Sequence, residues 1–165
     1  MDGGKHPKLR IGPAGPKGMG VFAEERIPPG TVIWDYIGEE QHVKSIPPDL
    51  LPYCFQVDYD VYIVPPTGSV GWYINHSCDP NCVIEGRTKI VSCRVIDVGE
   101  EATFDYSTDT GWDGFEMECL CGSRNCRKVI TSFLRTDKRV RERYGKHVAP
   151  FLLSAETLHR RKPSV

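Results

Sequence analysis

The chain has 165 residues, 39% of them hydrophobic and 26% charged, with a formal net charge of -1; that allows one domain with a sizeable core and excludes two. No apolar run approaches a membrane span, and the opening Met1-Asp2-Gly3-Gly4-Lys5-His6 lacks the apolar stretch of a secretory signal, so no membrane partner is expected. The near-neutral balance hides an asymmetry, with 10 Lys/Arg against 19 Asp/Glu in residues 1–126 and 11 against 3 in residues 127–165: an acidic body suited to a basic peptide, and a basic tail able to make weak nucleic-acid contact or to fold back on that body.

In chain order, Pro28-Pro29-Gly30 is a turn signal ahead of a β-branched, aromatic strand at Val32-Ile33-Trp34-Asp35-Tyr36-Ile37. Two further strands, Tyr53 to Val57 and Val61 to Val64, flank Asp58-Tyr59-Asp60 as a hairpin. A second hairpin pairs Cys82 to Glu85 with Lys89 to Ile96 across Gly86-Arg87-Thr88. Asp97-Val98-Gly99 then turns the chain into a strand ending at Tyr106. Short strands at short intervals predict small sheets rather than a βαβ wind. Beyond Cys126 the pattern becomes helical: Thr136-Asp137 is a candidate N-cap, Val140 and Tyr144 share a face, and Gly145 is a stop. Ala149-Pro150-Phe151-Leu152-Leu153 begins a second short helix, and residues 160–165 fray.

Seven cysteines are an odd number gathered at short turns, which fits metal ligation in a reducing compartment, nucleus or cytoplasm, better than a disulfide framework. Cys119-Leu120-Cys121 and Cys126 have the spacing of ligands for a tetrahedral zinc ion. The fourth ligand must come from upstream, where Cys78, Cys82 and His76 qualify by chemistry, so the metal would staple the C-terminal segment to an earlier loop. Gly18-Met19-Gly20 lacks the third glycine of a dinucleotide fingerprint and is no phosphate loop.

Taken together, Gly18-Met19-Gly20, Ile74-Asn75-His76-Ser77-Cys78, Glu100-Glu101-Ala102-Thr103-Phe104-Asp105-Tyr106 and the Cys119–Cys126 thiols resemble the SET-domain protein lysine methyltransferases, over a match running from about Lys8 to Arg127. The resemblance implies a mainly β fold with short helices: small curled β-sheets, a pseudo-knot, and a zinc-stapled C-terminal segment. It divides the chain into a SET domain (8–118), a post-SET zinc segment (119–128) and a basic, partly helical extension (129–165). It implies zinc on Cys78, Cys119, Cys121 and Cys126. It also implies S-adenosylmethionine bound by Gly18, Met19, Gly20, Tyr73, Asn75, His76 and Leu120.

Within the same resemblance Tyr106 stands next to the transferring methyl and Tyr53 lines the lysine channel, while Tyr36, Tyr59 and Tyr62 read as packing tyrosines. Phe104 sits where the family sets the number of methyls added, and phenylalanine there implies di- or trimethylation. The substrate implied is a lysine of a histone tail or another basic protein. A catalytically weak SET module that binds a peptide or protein partner is the alternative. Three departures stand out: Gly71-Trp72-Tyr73 replaces the common Ala-Arg-Phe, Ala102 replaces a leucine, and the insert after Glu39 is short.

Overall fold

The computed structural model describes residues 6–154; the tail at 160–165, expected to fray, lies outside them. The N-terminal half carries strands β1 (Leu9–Pro13), β2 (Met19–Ala23), β3 (Val32–Asp35), β4 (Glu39–His42), β5 (Phe55–Asp58) and β6 (Val61–Val64). After them come β7 (Asn75–His76), β8 (Cys82–Glu85), β9 (Lys89–Ser92), β10 (Glu101–Phe104), β11 (Glu116–Glu118) and β12 (Val129–Thr131). One α-helix, α1 (Lys138–Tyr144), follows among the described residues, and single 3-10 turns connect many of the strands.

These strands form four small sheets, in the orders β1-β2-β10-β7, β3-β9-β8, β4-β6-β5 and β11-β12. Both expected hairpins are present. Asp60, at φ 56°, makes the β5–β6 turn, and Gly86, at φ 64°, makes the β8–β9 turn. The second strand of the latter stops at Ser92 rather than Ile96. The strand expected to end at Tyr106 stops at Phe104, because the Asp105 carboxylate accepts from Ser107 N and caps a 3-10 turn, Tyr106–Thr108.

The core follows from the period-2 alternation of half-buried strands. Val21, Ala23, Ile33, Ile84, Ile90 and Ala102 point inward and are almost completely buried, joined by Phe55, Ile63 and Phe104. Each fully buried large aliphatic is worth about 1.5–3 kcal/mol of transfer free energy. Ala102, smaller than the usual leucine, lies fully buried in that cluster. A second cluster, Phe133, Leu134, Tyr144, Val148, Ala149 and Leu152, seats the C-terminal extension. Asp137 caps α1 by accepting from Arg139 N, and Gly145 ends it at φ 53°, as the sequence predicts.

Two pairings position the site. Strand β7 lies parallel to β10, with Asn75 opposite Thr103 and His76 opposite Phe104, the close approach of distant segments that the pseudo-knot requires. Asn81, 2% exposed, bolts the cysteine loop to β10: its side-chain amide donates to Glu101 O at 2.8 Å, and its oxygen accepts from Thr103 N at 2.9 Å.

Candidate active site and thiol cluster

The β7–β10 pairing brings the Asn-His and Asp-Tyr segments side by side. His76 Nδ1 accepts from Tyr106 N at 3.1 Å, which leaves Nε2 to carry the proton and donate to Cys78 Sγ at 3.3 Å. Burial pushes the imidazole pKa down to about 4, against the opposing pull of Asp105, so the ring is neutral. The ring thus links the turn at Tyr106 to the first thiol. Asn75 donates to Met19 O at 2.7 Å and to Glu101 Oε1 at 2.8 Å. Glu101 also pairs with Lys17. A side chain at Gly20 would strike the Glu101 carboxylate, whereas Gly18, at φ 83°, faces open space. The structure therefore joins Met19 and Gly20 to Asn75 through Glu101. Met19 and Leu120 are both largely exposed, and Tyr73 is half-buried against the main core.

Tyr106, Phe104 and Tyr53 share one cavity of about 390 Å³. Its lining includes none of the residues expected on the cofactor side, of which Asn75 and His76 form β7 and Met19 and Gly20 lie on β2, both strands paired with β10. The Tyr106 hydroxyl donates to Ile74 O at 2.9 Å, and burial raises its pKa well above the ordinary phenol value, so it stays a neutral donor. Phe104 is buried with its ring 5.1 Å from that of Tyr106. Tyr53 is 39% exposed and stacks on Trp72 at 4.2 Å, standing at the edge of the cavity.

Several lining residues were not picked out from sequence. Tyr36, read as packing, stacks on Phe55 at 4.3 Å and donates its buried hydroxyl to Gly71 O, yet it faces the cavity, as does Tyr62. The Gly71-Trp72 departure has a cause here. A Cβ at Gly71 would collide with the Trp34 and Tyr36 rings, and Trp72 supplies the platform under Tyr53. Trp112 and Phe115, from the loop after Tyr106, and Met117, on β11, add an apolar wall; their cluster so soon after the Asp-Tyr pair was the available signal. Among the described residues, Asp109 is the one acid lining the cavity.

The sulfurs of Cys78, Cys119, Cys121 and Cys126 lie within 4.8 Å of one another, with Cys78 and Cys119 at 3.6 Å. A tetrahedron with Zn–S bonds of about 2.3 Å has edges of about 3.8 Å, so the four thiols fit a zinc ion. Cys119 and Lys128 bracket the loop between β11 and β12, which carries three of the four thiols, and Cys78 joins them from the loop after β7. Arg127 N donates to Cys78 Sγ at 3.3 Å and Lys128 N to Cys126 Sγ at 3.4 Å, which fixes both sulfurs in place. Cys82 lies elsewhere, buried in the main core. Cys54 and Cys93 also stand apart from the cluster.

Asp105 is the buried hub between these parts. Arg127 grips both its oxygens, at 2.6 and 2.7 Å, and Tyr144 of α1 donates to it at 2.9 Å. Burial alone would raise this carboxyl, but the Arg127 fork, with the Tyr144 hydroxyl, holds it below the usual range.

The SET domain family model matches residues 18–107, and the chain belongs to the SET domain family. A histone-lysine N-methyltransferase of Schizosaccharomyces pombe, described as H3 lysine-4 specific, is 34% identical over 142 residues, 74% of this chain but 15% of that protein. The Caenorhabditis briggsae protein described as "Probable histone-lysine N-methyltransferase set-23" is 35% identical over 153 residues, 79% of this chain and 63% of its own length. The crystal structure of KRYPTONITE in complex with mCHG DNA and SAH superposes with a TM-score of 0.59 at 28% identity, over 75% of this chain and 29% of that one. The chain thus spans less than two thirds of each of these relatives.

Proposed function

We propose that the chain is an S-adenosylmethionine-dependent protein-lysine N-methyltransferase, acting on a lysine of a histone or another basic protein. The observation that carries it is the cavity itself: a neutral Tyr106 hydroxyl held on Ile74 O, beside Phe104, inside aromatic walls next to the Asn75-His76 strand. Relatives named as histone-lysine methyltransferases support the substrate class, as does a second KRYPTONITE structure solved with an H3(1-15) peptide. S-adenosylmethionine supplies a methyl group on a cationic sulfonium. Gly18, Met19, Gly20, Tyr73, Asn75, His76 and Leu120 would hold it, with Met19 and Leu120 offering exposed apolar surface.

The chain's own residues do the rest. The aromatic walls strip water from the lysine ammonium and so lower its pKa from about 10.4 toward neutrality. Tyr106, with its hydroxyl anchored, orients the amine for in-line attack. Cys78, Cys119, Cys121 and Cys126 would hold structural zinc as the post-SET segment (119–128), after the SET domain (8–118) and before the extension (129–165). A nuclear site of action follows from a histone substrate. Weak nucleic-acid contact by the basic tail would fall to exposed residues such as Arg139, since Arg143 donates to Cys78 O and to the Tyr144 hydroxyl.

Phe104 makes the reading testable at product level. Without a hydroxyl at that position, a partly methylated amine has room to turn, and di- or trimethylation follows. Mass spectrometry of histone H3 incubated with enzyme and S-adenosylmethionine should show two or three methyls on one lysine, and Phe104→Tyr should stop at one. Identical product distributions from both proteins would refute this role for Phe104.

A further inference from the structure

The lysine-methyltransferase reading leaves one cavity residue without a role. Asp109 is 7% exposed and lies three residues past Tyr106, where its backbone N donates to Tyr106 O at 3.3 Å. Its carboxylate accepts from the Thr110 hydroxyl at 3.1 Å and from the Gln56 backbone. Tyr36, Tyr62 and Tyr106, from three different segments, line the same cavity. An acid in an apolar cavity is costly to keep unless a cation meets it there.

We propose, resting on the methyltransferase reading, that Asp109 is a catalytic residue: its carboxylate receives the substrate lysine ammonium in the cavity and takes its proton. An N–H bond of the ammonium breaks and an O–H bond forms on Asp109, giving a neutral amine and a neutral carboxyl. The amine lone pair then forms the C–N bond as the donor's methyl–sulfur bond breaks, its electron pair staying on sulfur. Asp109 afterwards returns the proton to water. Exclusion of water favours this neutral pair over an ion pair.

The environment is consistent with a proton acceptor at neutral pH. Burial, with Asp105 adding repulsion, pushes the Asp109 pKa up to about 7 against the hydrogen bonds from Thr110 and Gln56. The titratable side chains lining the cavity with it are Tyr36, Tyr53, Cys54, Tyr62 and Tyr106, Asp105 is the anion that acts on it from outside, and no Lys, Arg or His is among the described lining residues.

The test compares wild type with Asp109→Asn in methyl transfer to histone H3 across pH 6 to 10, alongside S-adenosylmethionine affinity and melting temperature. Wild-type kcat should rise to a plateau near neutrality. Asp109→Asn should bind the donor normally yet lose about 10²–10⁴-fold in kcat. Its residual rate should keep climbing with pH, because only amine that arrives unprotonated reacts. Thr110→Val provides an independent check: losing the hydroxyl hydrogen bond should move the wild-type midpoint upward. A rate for Asp109→Asn equal to wild type, or a lower rate with the same pH profile, would overturn the proposal alone. A wild type that methylates nothing in histones or a cell extract would overturn the parent reading with it.

Discussion

Two aspartates four residues apart show how environment assigns roles to one chemistry. Asp105 meets the Arg127 fork and is held ionised; Asp109 meets aromatic rings and is pushed up to about 7. The sign of the second shift makes a stability prediction. Because the folded pKa of Asp109 lies above the unfolded value, the fold binds that proton more tightly, and stability falls as pH rises from about 4 to about 7. Asp109→Asn should leave stability unchanged below pH ~4 and raise it above pH ~7, by up to about 4 kcal/mol. Denaturant melts at both pH values check this, and equal effects at both would contradict it. Such a gain accompanied by lost activity is the trade-off expected of a buried functional acid. Asp109 was not legible in sequence, since an aspartate in Ser107-Thr108-Asp109-Thr110-Gly111 reads as a turn residue until the cavity is seen around it. Tyr106, Phe104 and Tyr53 were legible, because motif residues announced them.

At the scale of elements, the hairpin β11–β12 brings the thiol loop to the Asp105-Tyr106 turn. Arg127 closes that loop and at the same time neutralises Asp105. Arg127→Ala leaves Asp105 buried without its charge partner, and should cost about 3–5 kcal/mol in a urea melt. A loss below 1 kcal/mol would show that the Tyr144 hydroxyl and Ser107 N suffice to hold the carboxylate. The thiol spacing was plain in the sequence, but the strands that carry it were not. Glu116-Met117-Glu118 is exposed on all three residues and has no apolar face to betray it. Glu39-Glu40-Gln41-His42 hides β4 in the same way, its order coming from pairing with β6 and from the Arg87–Glu40 ion pair. Strand β7 has only two residues and exists because β10 lies beside it. Long-range pairing of this kind leaves no local periodicity to read.

Across the whole molecule, the basic C-terminal part is not simply a solvated appendage. Its α1 sends Tyr144 to Asp105 and Arg143 to Cys78 O, and its apolar residues form a second core. The opposite charges of body and tail, seen first in composition, meet in the Arg127–Asp105 and Arg135–Glu116 ion pairs. The thiol cluster, with Cys78 from one loop and three cysteines from another, ties separate segments together. Chelation or Cys119→Ser should lower the melting temperature, release the backbone amides of Cys119 to Lys128 to hydrogen exchange, and reduce methyl transfer. Zinc content of one per chain, lost with the mutation, checks the assignment; full activity without metal would contradict it.

The most direct measurement is methyl transfer from labelled S-adenosylmethionine to histones and to a mixed protein extract, read by mass spectrometry for wild type and Tyr106→Phe. Loss of the hydroxyl held on Ile74 O misplaces the amine, and misplacement by about 1 Å costs on the order of 10²-fold. The account predicts label on lysine from the wild-type protein and at least that loss in the variant, with zinc and donor binding retained. Absence of transfer by wild type, or equal transfer by Tyr106→Phe, would contradict it.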